Sequence, residues 1–340
     1  MHTVVLIPGD GIGPEVAEAT IQVLEAATAP LSFVEHYAGV SALDRGLGDT
    51  LPQATLDAVR AHHVALKGPC STPVGMGFRS VNVGLRKQLN LYAAVRPVRS
   101  MPGVETRYSN VDLVIVRENT EGLYSGVESD ITDGVVTTMK VATRTACHRI
   151  AHYAFKYATF RGHKHITVFH KANIMKLTDG MFVREAKKVH DEIYPNIGFS
   201  DLIIDAALMR LVQDPTQFDI LLCENLYGDI VSDLCAGLVG GLGVTPGANI
   251  GDEDAVFEAV HGSAPDIAGQ DRANPLALMM SAVMMLNHLA TTRHDDVSAE
   301  VAERIKNAYN RALEEGQKTR DLGGRLGTKE FAQAVIDRLE

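Results

Sequence analysis

The chain of 340 residues has no tryptophan, only four cysteines and more acidic than basic residues. Its formal net charge of −10 argues against a general nucleic-acid binder, because such proteins hold phosphates with clustered positive charge. The cysteines, Cys70, Cys147, Cys223 and Cys235, have no CxxC spacing, so neither disulfides nor a zinc site is expected. Because free thiols suit a reducing compartment, this pattern predicts a cytoplasmic protein.

Long apolar runs are also missing. No run approaches the roughly 20 apolar residues that cross a bilayer, so we expect no membrane partner. The first residues form a strand-like segment at 3–7 without the basic region and cleavage site of an export signal. With 46% hydrophobic and 22% charged residues, the chain has a globular composition and is long enough for two cores or one large one.

Strand-like and helix-like segments alternate along most of the chain, which predicts an α/β architecture. The strand-like segments lie at 3–7, 65–67, 111–116, 166–170, 201–204 and 218–223, and clear helical patterns at 147–160 and 180–193. A methionine-rich stretch at 279–289 is interpreted as helical core packing.

One segment, 127–144, breaks this alternation. It is β-prone, and Asp133-Gly134 predicts a hairpin turn between two strands. A lone hairpin is marginal in water, so we expect it to pair with another element, for which the same hairpin of a second chain is the leading candidate.

A glycine-rich turn at 8–14 (PGDGIGP) follows the first strand. It fails the G-x-G-x-x-G spacing of a dinucleotide fingerprint because Pro14 comes directly after Gly13. The segment therefore predicts a tight strand-to-helix turn, with Pro14 in the first helical turn, where its missing N–H is harmless.

Arginine residues gather between 79 and 117, among them Arg86, Arg96 and Arg117. Arg117 directly follows a strand expected to be buried, where a guanidinium needs an anion to offset its desolvation. Arginine binds carboxylates bidentately, so the group suits a ligand with two or three carboxylates. Internal ion pairs or a solvated basic face are the alternative for any single arginine.

Two aspartates, Asp229 and Asp233, stand four residues apart in NLYGDIVSD, after the apolar strand at 218–223. On a helix they share a face and repel each other unless a cation lies between them, and oxygen ligands suit Mg²⁺ or Mn²⁺. A purely structural pair is the alternative.

The segment 258–269 (EAVHGSAPDIAG) also allows two interpretations. Its small residues allow close approach to a ligand, but it is equally compatible with a plain surface loop.

Taken together and in this order, these segments resemble the β-decarboxylating dehydrogenases, which include isocitrate, homoisocitrate, 3-isopropylmalate and tartrate/malate members. GDGIGPEV, RENTEGLYSG, NLYGDIVSDL and HGSAPDIAG carry the resemblance, which extends to TRDLGG near residue 324. It implies a two-domain isocitrate/isopropylmalate dehydrogenase-like fold that is not a classical Rossmann fold. The expected large, cofactor-binding domain comprises 1–98 and 240–340, and the small domain 99–239 carries the dimer interface and a hairpin clasp.

Within this family, Ser80 and Asn82 resemble the residues with which isocitrate dehydrogenases meet the third carboxylate of the substrate. An isopropyl group against them would leave polar groups unpaired, at a cost of about 1–3 kcal/mol each. Homoisocitrate, one methylene longer, is the nearer alternative to isocitrate, and 3-isopropylmalate the more distant one.

The cofactor expectation depends on Asp266 and Ile267. NADP-dependent relatives typically carry Lys and Tyr at these positions, whereas NAD-using relatives carry Asp and an aliphatic residue. Asp266 would repel a 2′-phosphate, so the resemblance implies NAD. The other implied cofactor-binding residues are Thr72, Glu258, His261, Gly262, Ser263, Ala264 and Asn274.

The resemblance also assigns roles in the oxidative decarboxylation of isocitrate to 2-oxoglutarate. Arg86, Arg96 and Arg117 hold carboxylates, and Tyr124 protonates the product. Asp229 and Asp233 hold Mg²⁺ or Mn²⁺ together with Asp205 of a second subunit. Lys171, also from that subunit, assists removal of the hydroxyl proton, which implies a homo-oligomer with shared sites. A non-catalytic regulatory subunit is the alternative, but it should lack some of these residues, and all are present.

Overall fold

The computed structural model describes residues 1–72 and 80–340, so Arg79 and the rest of 73–79 lie outside the described residues. The strands follow in chain order as β1 (His2–Ile7), β2 (Leu31–Glu35), β3 (Val64–Lys67), β4 (Ala93–Arg99), β5 (Asp112–Glu118), β6 (Gly122–Thr132), β7 (Val135–Val141), β8 (His165–His170), β9 (Gly198–Ile203), β10 (Ile220–Cys223), β11 (Pro246–Ile250) and β12 (Ala255–Ala259). The helices are α1 (Gly13–Ala26), α2 (Val40–Asp44), α3 (Gln53–His62), α4 (Val81–Gln88), α5 (Arg144–Arg161), α6 (Thr178–Ile193), α7 (Ile204–Gln213), α8 (Asn225–Leu238), α9 (Leu276–Arg293), α10 (Asp296–Glu314) and α11 (Thr328–Ile336).

One ten-stranded sheet runs through the chain in the order β2-β1-β3-β12-β11-β4-β5-β10-β8-β9. The strands β2, β1, β3 and β12 are mutually parallel, as are β5, β10, β8 and β9. Between these two groups, β11 and β4 pair antiparallel with each other and with their outer neighbours. The two parallel groups therefore run in opposite directions, and the change of direction occurs in the middle of the sheet.

Helices cover the sheet, so most residues of its central strands are buried. Every residue of β3 and of β10 is buried, as expected for parallel strands covered on both faces. The methionine-rich stretch lies in α9, where Met279, Met280 and Met285 are buried in the main core. The predicted α/β class and the core role of this stretch are thus confirmed.

The predicted hairpin is present as a separate two-stranded sheet of β6 and β7, with Asp133 and Gly134 at its turn. Gly134 has a φ of +74°, which glycine adopts without strain. Several large apolar side chains of the hairpin are exposed, namely Val127, Ile131, Val135, Val136 and Met139. Among the described residues, no helix is both long and apolar enough to span a bilayer.

Candidate active site

A cavity of about 270 Å³ lies where the strands change direction. It brings together residues from several polar segments that the sequence singles out: Ser80, Asn82, Arg86, Arg96, Tyr124, Asp229, Asp233, Glu258, His261 and Gly262. Lys67 and Cys70 also line it, and neither is predicted from the sequence as a site residue.

Arg117, at the end of β5, has no exposed surface. Asn225 Oδ1 accepts hydrogen bonds from its Nε at 3.1 Å and its Nη2 at 2.7 Å, and Nη1 donates to Asp229. Gly228 permits this packing, because a Cβ there would stand 2.5 Å from Cγ of Arg117. The NLYGD segment of α8 thus encloses a buried guanidinium and pairs it with a carboxylate.

Arg96, in β4, approaches the same helix. Its Nη1 lies 3.6 Å from Asp229 Oδ1 and 3.7 Å from Asp233 Oδ1, and it donates to the Ser232 hydroxyl. Burial, together with the positive charges of Arg117 and Arg86, lowers the pKa of Arg96 to about 10. Arg96 stays charged at neutral pH and is repelled by the two neighbouring arginines, so an anion bound among the three would be stabilised.

Asp229 and Asp233 lie on one face of α8, whose first turn is capped by Glu224 accepting from Tyr227 N at 3.0 Å. Burial opposes ionisation of Asp229, but Arg117 and the Tyr124 hydroxyl outweigh it and hold its pKa below the usual value. Burial raises the pKa of Asp233, against a lowering by Arg96, and the negative charge of Asp229 raises it further. A divalent cation beside the pair would relieve that repulsion, so the two carboxylates fit such an ion.

The described residues of one chain do not form a complete metal site. In the part of the chain that the structure describes, no three His, Cys, Asp or Glu side chains are grouped closely enough to hold a metal ion. Asp205 lies elsewhere, in the first turn of α7, with a side chain that is 68% exposed. The two aspartates of α8 would therefore supply only part of a coordination shell.

Tyr124 donates its phenolic hydrogen to Asp229 Oδ2. Burial and the Asp229 carboxylate raise the pKa of Tyr124, so the phenol keeps its proton at neutral pH. The Arg117 guanidinium lies 5.2 Å from the centre of its ring. Tyr124 is thus a protonated group at the cavity wall, as required of a proton donor.

Asn82 and Arg86 present buried polar atoms to the cavity. Asn82 Oδ1 and Arg86 Nε have no hydrogen-bond partner among the described residues. Ser80 caps α4, with its Oγ accepting from Val83 N at 3.4 Å. Buried polar atoms without partners are costly, which favours a polar ligand at this position.

Glu258 is the centre of a second buried network. Its carboxylate lies 2.6 Å from Lys67 Nζ and 3.3 Å from Arg86 Nη2, and it accepts from Asn249 Nδ2 at 2.7 Å. Burial alone would raise the pKa of Glu258, but Lys67 and Arg86 hold it well below the usual value. Lys67 ends the buried strand β3 just as Arg117 follows a buried stretch of β5. The same reasoning applied to the sequence would have found it.

The structure does not bring Lys171 and Asp205 to this cavity. Lys171 follows β8, and its Nζ pairs with the Asp205 carboxylate at the surface. The backbone N–H of Lys171 donates to the buried Asp179 at 2.8 Å. Within one chain the two residues therefore form an ion pair apart from Tyr124 and Asp229.

The remaining predicted cofactor residues lie on two neighbouring loops and just before α9. Thr72 accepts from Val81 N at 3.1 Å, and Ser263 Oγ is 2.6 Å from Ser71 Oγ. Asn274 donates to Asp321 at 2.9 Å. The rest belong to the 261–267 loop, where Ala264 has a φ of +36°, Ile267 is half-buried and Asp266 is exposed.

The chain is similar to known proteins over nearly its whole length. The model of the isocitrate/isopropylmalate dehydrogenase family matches residues 3–335. "Isocitrate dehydrogenase [NAD] catalytic subunit 5, mitochondrial" of Arabidopsis thaliana is 50% identical over 339 residues, which cover 99% of this chain and 88% of the relative. "3-isopropylmalate dehydrogenase, chloroplastic" of Solanum tuberosum is 50% identical over 313 residues, which cover 92% of this chain and 85% of the relative.

A solved structure agrees over the whole chain. The crystal structure of isocitrate dehydrogenase from Methylococcus capsulatus superposes with a TM-score of 0.94 and 47% identity, covering 100% of this chain and 99% of that one. The predicted fold is therefore confirmed.

The predicted cytoplasmic location, in contrast, is wrong. The relatives named as NAD isocitrate dehydrogenase subunits, including those of Arabidopsis thaliana, Dictyostelium discoideum and Homo sapiens, are mitochondrial proteins. Free thiols indicate a reducing environment but do not distinguish one reducing compartment from another. The family assignment does not depend on location: this chain belongs to the isocitrate/isopropylmalate dehydrogenase family.

Proposed function

We propose that the chain catalyses the NAD-dependent oxidative decarboxylation of isocitrate to 2-oxoglutarate and CO₂. The observation that carries this proposal is the convergence of Arg86 and Arg96 on one cavity, beside two carboxylates and a protonated tyrosine, with the buried Arg117 paired to the cavity residue Asp229. Guanidinium groups that are buried and mutually repelling favour a polyanionic ligand over a neutral one.

Ser80 and Asn82 direct the choice among tricarboxylates. They lie on the α4 side of the cavity, where Asn82 Oδ1 is buried without a partner among the described residues. The third carboxylate of isocitrate would satisfy polar groups that a branched alkyl chain would leave unpaired. Homoisocitrate would place the same carboxylate one methylene further away.

Asp229 and Asp233 would hold Mg²⁺ or Mn²⁺, with Asp205 of a second chain completing the set. When bound, such an ion would supply Lewis-acid polarisation of the substrate's oxygen atoms. Tyr124, whose hydroxyl donates to Asp229 in the free chain, would be the proton donor to the carbon that loses CO₂. Lys171 of the second chain would take part in removing the hydroxyl proton.

Thr72 and the 261–267 loop would hold NAD⁺, which would supply the acceptor for the hydride that leaves C2 of the substrate. Asp266 is exposed and available to a ribose hydroxyl, and its negative charge disfavours the 2′-phosphate of NADP. His261 Nε2 is buried and has no partner among the described residues, which leaves it available to the nucleotide.

The shared site requires a homo-oligomer. The exposed apolar side chains of the β6–β7 hairpin support its role as an intersubunit clasp. We further propose that 1–98 and 240–340 move as the large domain against 99–239, which would close the cavity on its ligands.

The direct test is a comparison of kcat/KM for isocitrate, homoisocitrate and 3-isopropylmalate with NAD⁺ and with NADP⁺. Isocitrate with NAD⁺ should be best, and homoisocitrate roughly 10- to 200-fold poorer, as expected for one methylene. A preference for 3-isopropylmalate would overturn the substrate assignment. No turnover by the purified chain alone, with ligand binding retained, would instead favour a non-catalytic subunit.

A further inference from the structure

The glycine-rich turn at 8–14 takes no part in the chemistry proposed above, yet it contacts both loops that carry predicted cofactor residues. On one side, Asp10 N donates to Pro69 O at 2.7 Å. On the other side, Ile12 N donates to Ser263 O at 2.8 Å. The turn therefore lies between loop 69–72 and loop 261–264, and both loops contribute lining to the cavity.

The glycines of the turn make these contacts possible. A Cβ on Gly9 would lie 2.2 Å from Pro69 O, and one on Gly11 would lie 2.0 Å from Ser263 O. Both glycines also have positive φ values, +84° and +59°. No other residue could bring the backbone this close to the two loops.

Asp10 extends the link with its side chain, which is nearly buried. Its Oδ2 accepts from Ser71 N at 2.6 Å and Val40 N at 3.0 Å, and its Oδ1 accepts from Ser41 N at 2.7 Å. Ser71 in turn reaches Ser263, with 2.6 Å between the two hydroxyl oxygens. One carboxylate thus fastens loop 69–72 to α2, and Ser71 carries the link on to loop 261–264.

We propose that Asp10 is a positioning residue for the NAD site, one that sets the spacing of these two loops without touching the nucleotide. The inference rests on the proposed function, because it takes the two loops as the cofactor's binding walls. A carboxylate is needed because three N–H groups converge on its two oxygens. An amide of the same shape would point its NH₂ at one or more of those donors.

The test is NADH binding to the full-length protein, measured by fluorescence titration. Asp10→Asn should raise Kd for NADH about tenfold or more, as expected when a binding wall is displaced. The Kd for isocitrate with Mg²⁺ should stay within about twofold, because the arginines lie on α4, β4 and β5. Ser71→Ala, which removes one hydrogen bond of the link, should weaken NADH binding about threefold.

Asp219→Asn is the matched control. That carboxylate also accepts from backbone N–H groups, Lys164 at 2.6 Å and His165 at 3.0 Å, but at the start of β8. Asp219→Asn should lower the thermal midpoint of the protein and leave its affinity for NADH unchanged.

An unchanged Kd for NADH in Asp10→Asn, or an equal loss of both ligands, would overturn the inference. If that variant does not fold, Ser71→Ala decides, and normal NADH binding there would reject the link. Failure of the wild-type protein to bind NADH would overturn the proposed function itself, before any variant is compared.

Discussion

Two groups of charged residues that we assign to one reaction differ in burial: one group is largely buried and the other is more exposed. Arg117 has no exposed side-chain surface and pairs with Asp229, whereas Lys171 and Asp205 pair with 28% and 68% of their side chains exposed. Buried charges must be paired because their desolvation is costly, but an exposed pair adds little to stability. The arginine–aspartate cluster is therefore held by the fold of one chain, while the lysine–aspartate pair is free to change partners.

If the proposed roles hold, one folded chain carries only part of the site. The proposed substrate-binding groups and proton donor lie at or next to the cavity, whereas the predicted base and third metal ligand lie together elsewhere. A second chain that places Lys171 and Asp205 at the first chain's cavity would complete it. The following predictions test that contrast.

The largest expected effect is the loss of activity when one residue of either group is replaced. Lys171→Met should lower kcat by roughly 10²–10⁴-fold, the range for removal of a group that acts in acid–base catalysis, and Asp229→Asn, which removes a proposed metal ligand, should lower kcat by a similar factor. A hybrid dimer with one copy of each variant should recover about half of the wild-type activity, because one of its two sites receives both intact residues.

The measurement is the isocitrate-dependent reduction of NAD⁺ by hybrids purified through two different tags. Homodimers of each variant carried through the same purification are the controls. A hybrid as inactive as either homodimer would show that Lys171 serves the cavity of its own chain.

The free energy of unfolding should fall when the buried pair is broken and should stay unchanged when the exposed pair is broken. Arg117→Met leaves Asn225 and Asp229 without their partner in a buried site, so unfolding should require about 3–5 kcal/mol less. Asp205→Asn breaks only the surface pair and should leave the urea midpoint unchanged. Equal midpoints for the two variants in urea denaturation would refute the distinction between a buried and a solvent-screened pair.

Cofactor preference should respond to an exposed charge that has no role in holding the fold. Asp266→Lys with Ile267→Tyr should favour NADP over NAD, because each charge-assisted hydrogen bond to the 2′-phosphate is worth about 1.5–3 kcal/mol. The ratio of kcat/KM values for the two cofactors measures this change, with the thermal midpoint as a control for folding. An unaltered ratio would show that Asp266 does not decide between NAD and NADP.

The smallest effect concerns the two aspartates of α8. The folded-state pKa of Asp233 is raised, so its contribution to stability is fully present below the pKa of the unfolded chain and is lost as pH rises through the folded pKa. Asp233→Asn should therefore stabilise the metal-free protein slightly near neutral pH, by about 0.5 kcal/mol or less, because this side chain is 61% exposed and screened.

Thermal midpoints measured with a chelator from pH 4 to pH 8 would test this. The midpoint difference between variant and wild type should grow toward neutral pH. Asp229 should behave oppositely: its folded pKa is lowered, so its stabilising contribution is present at neutral pH and is lost as pH falls through that pKa. A flat difference for Asp233→Asn would show that its charge is not destabilising.

Much of the fold could be predicted from local patterns. The strands at 166–170 and 218–223 were found within about two residues at each end, because apolar runs bounded by polar residues suffice to mark buried strands. Asp133-Gly134 likewise predicted the hairpin turn. The antiparallel insertion of β11 and β4 could not be predicted, since strand order depends on contacts between segments far apart in sequence.

The same reason limits what the sequence predicts about the site: it indicates which charged residues need partners but not which residues those partners are. Arg117 was recognised because a charge directly after a buried strand needs a partner, but that partner, Asp229, lies on a different element. Lys67 ends the buried strand β3 and meets the same criterion, so its need for a partner was predictable too, although the identity of that partner, Glu258, was not. The role of the turn at 8–14 was also hidden, since its two contacts come from residues near 70 and near 263.

By itself, the sequence determined the α/β class, the segments that carry polar chemistry, and the i,i+4 spacing of Asp229 and Asp233, because each depends on neighbouring residues alone. Only the tertiary structure decided which charges neutralise each other and which atoms remain unpaired. It also placed Lys171 with Asp205 rather than with Tyr124. Desolvation and Coulomb energies depend on distances in space, and those distances exist only once β3, β4, β5, β12 and α8 have packed together.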